Sequence, residues 1–460
     1  MKRAAVLCFL LCMVVQFLII PSSSYCQRVG YTKEEFMRRR AELMSKVEEG
    51  MIILFGNSMP GTSIRFRQDN DFYYLSGVED LGAVMILIPE GQQSFLFLPK
   101  QNPREIMVSG ANLLEDPQAA EKTGFTRLYP VSYLDEFIAR LGTRNGGSIH
   151  VRLSPPDLVD NSGYEVPLLY ARRYRNHYDD QMPLESYRVE KLRRYYPYFT
   201  IKDVKPFIDQ MRVIKSEEEI AVLRRNGKIS ALGVKEAMRV TRPGMYEYEL
   251  EAAASHVFTK NGARGNAFPA IVGSGPNTCV WHYEANSRKM EAGELVLMDF
   301  GADLDYLCID ITRTWPVSGK FTPEQREVYE IVLTVLKSCI EAYKPGVTSE
   351  DVQRHVADVM KKKGLDPRGL RGGIGHYVGM SVHDVGPGGI TLQPGMCFAI
   401  EPALYYPDKN MGIRIEDTIL ITESGCEVLS AGVPKEIEEI ESLIQGRSSA
   451  TKGGAPSKRR

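Results

Sequence analysis

The chain has 460 residues, 43% of them hydrophobic, enough for more than one domain with a real core. Its 57 Lys and Arg offset 58 Asp and Glu to a net charge of −1, which excludes a broad basic surface for nucleic acid. Five of its eight cysteines (Cys279, Cys308, Cys339, Cys397 and Cys426) lie beyond residue 26, widely spaced and in apolar contexts. They read as small buried hydrophobes, not as a disulfide framework or a CxxC metal site.

In chain order, Lys2 and Arg3 precede the apolar run AAVLCFLLCMVVQFLII, followed by PSSSYCQ. This is the layout of a secretory signal peptide over residues 1–26, and it implies an exported protein, periplasmic or secreted. The run sits at the short limit for spanning a bilayer, so cleavage is preferred to an uncleaved anchor. No other segment is long and apolar enough to cross a membrane. A first domain is expected over residues 27–200. It opens with an amphipathic helix in YTKEEFMRRRAELMSKVEEG and continues through strands MIILFG, AVMILIP and SFLFLP, bounded by Gly and Pro. Residues 153–198 are rich in Tyr, Arg and Pro with weak periodicity, and read as an insertion leading to a linker. A new regular pattern starts near Ile201, giving a second domain over 201–445. There Ser216 and Glu219 form a capping box for a helix, and three more helices follow at EYELEAAASHVFTKNG, TPEQREVYEIVLTVLKSCIEAYK and SEDVQRHVADVMKKKG. Residues 446–460, ending SSATKGGAPSKRR, have the composition of a disordered basic tail.

Two segments of the second domain carry paired acids. Asp299 and Asp310 lie in LVLMDFGADLDYLCIDITRTWPV, and Glu401 and Glu416 in FAIEPALYYPDKNMGIRIEDTILI. If each folds back on itself, about Leu304-Asp305 and about Asp408-Lys409, the acids of a pair face each other across a ladder. Directly opposed side chains sit about 5 Å apart, where like charges repel. Two such pairs inside apolar strands are costly unless cations neutralise them. Strand parity puts Arg414 and Glu416 on one face and Asp417 on the other. With His376, in GIGHYVG, the set is four carboxylates and one imidazole, an oxygen-rich site suited to hard divalent cations such as manganese. A lone acid in a strand is ordinarily solvated or paired; five compatible residues together are not.

These residues make the chain recognisable. The HY of WHYEANS, DFGADLDYLCIDITRTWPVSGKFTPEQ, GHYVGMSVHDVG, LQPGMCFAIEPALY and GIRIEDTILIT resemble the pita-bread metallopeptidases of the aminopeptidase P and prolidase group. RFRQDNDFYYLSGVEDLGAVMILIP resembles that family's N-terminal domain. The resemblance implies an α+β protein: an α/β N-terminal domain before a pita-bread catalytic domain with a curved antiparallel sheet. It implies two divalent metal ions, manganese foremost with zinc or cobalt as alternatives. Asp299 would chelate one, Asp310 and Glu416 would bridge both, and His376 and Glu401 would complete the other. A metal-bridged hydroxide would attack, with Glu401 taking its proton. His282 and His383 would face the substrate and stabilise the oxyanion, and Arg414 would orient Glu416. His150, His177, His256 and His355 are left as structural or surface residues. Many relatives carry a His four residues before the metal histidine; here Gly372 stands there, a departure that bears on a secondary substrate contact and not on the metal site.

The implied activity is an Xaa-Pro aminopeptidase acting on peptides with proline second. An Xaa-Pro dipeptidase is the alternative. A dipeptide places a free carboxylate beside the scissile bond, which calls for a cation, and the run from His383 to Glu401 contains no Lys or Arg. A non-catalytic peptide-binding module of the same fold is disfavoured because all five ligand positions are acidic or His. The resemblance also implies a homo-oligomer, dimer or tetramer, with peptides as partners and no nucleic acid or membrane after signal cleavage.

Overall fold

The structure, a computed structural model, describes residues 30–446 apart from 59–64, 146, 163–164, 174, 177, 179–181, 365 and 370–374. The expected signal peptide, His177, Gly372 and the tail beyond Gly446 lie outside the described residues. No helix among the described residues is long and apolar enough to cross a membrane.

Six strands, β1 (Met51–Phe55), β2 (Val84–Ile88), β3 (Gln93–Leu98), β4 (Arg127–Pro130), β5 (Gly147–Val151) and β6 (Phe199–Asp203), form one mixed sheet in the order β4-β3-β2-β1-β5-β6. β1 runs parallel to β5 and antiparallel to β2. Its apolar run is buried on both faces. Ile52 and Leu54 join the large core beneath the helix Lys33–Val47, while Met51 and Ile53 join a second core with Ile149, Val189 and Leu192. Burying each such side chain contributes about 1.5–3 kcal/mol. The regular pattern read from Ile201 belongs to this sheet for one more strand, because β6 pairs in parallel with β5. Residues 153–198, where periodicity is weak, hold two helices, Val166–Arg173 and Leu184–Tyr195.

Beyond this sheet the long helix Glu217–Val240 opens the second half of the chain. Its capping box forms as the sequence predicts: Ser216 Oγ accepts from Glu219 N (3.3 Å), and the Glu219 carboxylate accepts from Ser216 N (3.0 Å). Helices Glu247–Lys260, Pro323–Ala342, Ser349–Lys362 and Ile437–Gln445 follow. Between and after them lie β7 (Gly265–Asn266), β8 (Ile271–Ser274), β9 (Leu295–Asp299), β10 (Ala302–Leu304), β11 (Leu307–Cys308), β12 (Thr312–Pro316), β13 (His376–Tyr377), β14 (Cys397–Ile400), β15 (Ala403–Tyr406), β16 (Met411–Arg414), β17 (Asp417–Ile421) and β18 (Cys426–Val428). They pair as short ladders, β11-β10-β7, β12-β9-β8, β13-β14-β17-β18 and β15-β16, and every one of these pairings is antiparallel. Cys308, Cys339 and Cys397 are buried, Cys279 and Cys426 half-buried, and all five are free thiols.

The registers decide how the acids meet. In the second hairpin, Ile400 pairs with Asp417 and Ala403 with Arg414, so Glu401 falls opposite Glu416, and the chain reverses through Pro407–Lys409. The first hairpin differs from expectation. Asp299 pairs with Thr312 and Asp303 with Cys308, so the turn is Asp305-Tyr306, both with positive φ, and Asp310 falls opposite Gly301. Asp299 and Asp310 are therefore diagonal neighbours, not directly opposed. The slip is two residues, an even number, so both acids stay on one face. Gly301 permits it: a Cβ there would lie 1.6 Å from the Ile309 carbonyl oxygen.

Candidate active site

Asp299 ends β9, Asp310 leads into β12, Glu401 and Glu416 occupy the break between the β14–β17 and β15–β16 ladders, and His376 starts β13. Gly375 fixes the last of these. Its φ is +117°, and a Cβ at this position would lie 1.7 Å from the Ala399 carbonyl oxygen. Both facts require glycine, and the close approach seats His376 against β14. One donor atom each from Asp310, His376 and Glu416 lies within 4.8 Å of the others.

His376 Nδ1 lies 3.0 Å from the Tyr377 carbonyl oxygen. A carbonyl only accepts, so Nδ1 carries the proton and Nε2 presents a lone pair. That lone pair faces Asp310 Oδ2 at 3.5 Å and Glu401 Oε1 at 3.9 Å. Nε2 and these two carboxyl groups converge as donors to a cation once the acids are deprotonated. Asp299 Oδ1 and Asp310 Oδ1 are moreover buried without a hydrogen-bond partner. Orphaned carboxylate oxygens, four acids and one imidazole fit divalent ions with oxygen-preferring chemistry. Burial first, then the Asp299 and Glu401 carboxylates, pushes Asp310 well above the usual carboxylate range. Burial, Asp310 and Asp299 do the same to Glu416, and burial raises Glu401.

Arg414 answers this negative charge. Its Nη2 donates to Asp299 Oδ2 (2.6 Å), its Nη1 to Tyr405 Oη (3.1 Å) and its Nε to Thr312 Oγ1 (3.0 Å). The Thr312 hydroxyl in turn donates to Glu416 Oε2 at 2.6 Å. Arg414 thus holds Asp299 directly and reaches Glu416, which the resemblance has it orient, through Thr312. Asp417 faces away, bound by Arg313, Lys435 and Ser430.

A cavity of about 420 Å³ opens beside the acids, and His282 and His383 line it with Asp299 and Asp310. The imidazoles of His383 and His376 lie 4.0 Å apart between centroids. Burial and His376 lower the His383 pKa, against the opposing pull of Glu165. His150 is buried in β5, where its Nε2 meets Ser148 Oγ at 3.0 Å, and His256 and His355 are exposed on helices. A further wall comes from Asp160, Asn161, Glu165, Leu168, Leu169 and Arg172. Sequence reasoning does not anticipate that wall, nor the part played by Thr312. For Thr312 a signal exists, since it shares strand parity with Asp310; for that wall none does.

Residues 221–423 match Metallopeptidase family M24, and residues 36–150 match Aminopeptidase P, N-terminal domain. The chain is 36% identical to the Xaa-Pro aminopeptidase of Escherichia coli, over 90% of this chain and 98% of that protein. The chain belongs to metallopeptidase family M24, in its aminopeptidase P branch. The crystal structure of E. coli aminopeptidase P with the inhibitor Pro-Leu superposes with a TM-score of 0.76, at 33% identity, covering 91% of this chain and 99% of that one. The human Xaa-Pro dipeptidase is a more distant relative, 28% identical over 84% of this chain and 85% of that protein. The pita-bread catalytic domain and its N-terminal partner are thereby those of the family, and divalent metal ions are its cofactors.

Proposed function

We propose that this protein is an Xaa-Pro aminopeptidase, a metal-dependent hydrolase that removes the N-terminal residue from peptides with proline second. The observation that carries the reading is the convergence of Asp299, Asp310, His376, Glu401 and Glu416 around orphaned carboxylate oxygens, in a chain related along nearly its whole length to such an enzyme. Those five residues would hold the divalent ions. When bound, the ions supply Lewis-acid polarisation of the scissile carbonyl and an acidified water. The chain's own groups do the remaining work. Glu401, at the edge of the cluster facing His376, takes the proton of the attacking water. His282 and His383 stabilise charge on the carbonyl oxygen from the cavity side. Arg414 and Thr312 keep the carboxylates in fixed orientation.

The oxygen-rich donor set supports manganese, with zinc or cobalt as alternatives. The Lys2-Arg3 segment and the apolar run after it support export to a periplasm or the medium. Assembly into a dimer or tetramer rests on the family resemblance. An Xaa-Pro dipeptidase is the second reading. The loop from His383 to Glu401 lacks Lys and Arg, yet Arg172 lines the cavity and offers a cation. The test is to load the protein with manganese and compare an Xaa-Pro-Xaa tripeptide with an Xaa-Pro dipeptide, using Asp310→Asn as control. Tripeptide cleavage abolished in Asp310→Asn is the expected result. Preferential dipeptide cleavage would make the protein a prolidase.

A further inference from the structure

His383 is gripped on three sides by one short stretch of the N-terminal half. Its backbone N–H donates to the Asp160 carbonyl (3.3 Å), and its carbonyl accepts from Ser162 N (3.0 Å). Its side-chain Nδ1 lies 2.9 Å from Glu165 Oε1. The neighbouring residues are tied to the same stretch: Val382 N donates to the Val159 carbonyl (2.8 Å) and Ser381 Oγ to the Leu158 carbonyl (2.7 Å). Glu165 is itself fixed. Its N–H donates to the Ser162 carbonyl, and its carbonyl accepts from Leu168 and Leu169 at the start of the helix Val166–Arg173. Residue 165 lies between the two family matches, 36–150 and 221–423, so this hold on His383 comes from neither.

A carboxylate accepts only, so Glu165 places the His383 proton on Nδ1 and fixes the ring plane. Nε2 is then the nitrogen left for substrate. The ring is also kept beside His376, tilted 33° from it, instead of swinging into the cavity that both Glu165 and His383 line. We propose that Glu165 is a positioning residue for the reaction, acting through His383, and that residues 158–162 together with Glu165 are a built-in support for that histidine. The inference rests on the aminopeptidase reading above. It predicts that the support matters for turnover and only through the imidazole.

The test uses the full manganese-loaded chain with an Xaa-Pro-Xaa tripeptide and the variants Glu165→Ala, Glu165→Gln and His383→Ala, alone and combined. Glu165→Ala should lower kcat about 10–100-fold, with KM changed less than about twofold, because misorienting a reacting group costs rate more than binding. Glu165→Gln, which keeps an acceptor oxygen, should recover most of kcat. In a His383→Ala background, Glu165→Ala should have no further effect, since a pair acting as one unit is not additive. Metal content should be unchanged throughout. An unchanged kcat in Glu165→Ala overturns the proposal, as does an undiminished effect in the His383→Ala background or an effect on KM alone. If the wild-type chain cleaves neither tripeptide nor dipeptide, the aminopeptidase reading itself fails, which is a different outcome from any of these.

Discussion

Thr312→Val tests the site's internal wiring most directly. The hydroxyl is fully buried and stands between Arg414 and Glu416, themselves 4% and 1% exposed. Arg414 Nε only donates and a carboxylate only accepts, so the one hydroxyl proton must point at Glu416 Oε2. Valine has the same shape and removes both bonds at once. A hydrogen bond to a charged group is worth about 1.5–3 kcal/mol. Two are lost, but the guanidinium and carboxylate can close part of the gap, so the expected destabilisation of the metal-free protein is about 2–3 kcal/mol. Removing a group that orients a metal ligand should also weaken metal binding about 10–100-fold. The assay is a pair of measurements: the urea midpoint after chelation, and the manganese dissociation constant by competition with a chelator. If Thr312→Val binds manganese within twofold of wild type and unfolds within about 0.5 kcal/mol of it, Thr312 does not couple Arg414 to Glu416, and the orientation argument fails.

Arg212 is buried between three carboxylates from three parts of the chain: Asp71 (2.7 Å), Asp157 (2.5 Å) and Asp384 (2.6 Å), the last beside His383. Arg212→Ala leaves those acids under-neutralised and should cost about 3–5 kcal/mol in urea unfolding, with loss of peptidase activity; a cost below about 1 kcal/mol would deny it a role as the domain junction. Asp310, Glu416 and Glu401 all have folded-state pKa values raised above those of the unfolded chain. Stability from such groups is present at acid pH and is lost as pH rises through the folded values. The chelated protein should therefore lose urea resistance as pH rises from about 4, where the unfolded carboxyls titrate, through about 6, the value to which Asp209 and Asp305 are also raised. Manganese should flatten or reverse the slope, because the ions bind the deprotonated ligands; a metal-independent slope would refute the assignment of these acids as ligands. Gly301→Ala should fail to fold or lose metal binding, because its Cβ would sit 1.6 Å from the Ile309 carbonyl oxygen; retained metal stoichiometry in that variant would show that the first hairpin can re-register.

What sequence reading recovers, and what it misses, follows from the kind of force involved. Helix starts are legible where side chains cap backbone, as at Ser216–Glu219, because both partners sit within three residues of each other. The strands β1, β2 and β3 are legible because their apolar runs are buried on both faces. The second acid hairpin is legible because its turn is symmetric about Asp408-Lys409. The first is misregistered by two residues. Its turn residues, Asp305 and Tyr306, adopt positive φ; Asp tolerates this but tyrosine does not favour it, and no glycine or asparagine marks the turn. The acids nonetheless meet, since parity survives an even slip.

The wall that Asp160, Asn161, Glu165, Leu168, Leu169 and Arg172 form has no such signature. Backbone groups of residues 158–162 hold it against the His383 loop, and a backbone hydrogen bond leaves no mark in side-chain pattern. Buried charges add to it, with partners far apart in sequence: Arg212 with Asp157, and Arg212 and Lys215 with Asp384. Isolated in the sequence, each of these reads as an ordinary surface residue. Together they place Asp384 and, one residue earlier, His383 under the control of the N-terminal half. The proposed metal ligands all lie beyond residue 298, whereas the contacts that fix His383 come from residues 158–162 and Glu165. Arg212→Ala and Glu165→Ala should therefore separate the two functions. Both should impair turnover, but only Arg212→Ala should lower the urea midpoint, since the Glu165 side chain is 41% exposed and, among the described residues, pairs with His383. If Glu165→Ala instead destabilised the fold as much as Arg212→Ala, that wall would be a structural brace and not a part of the active site.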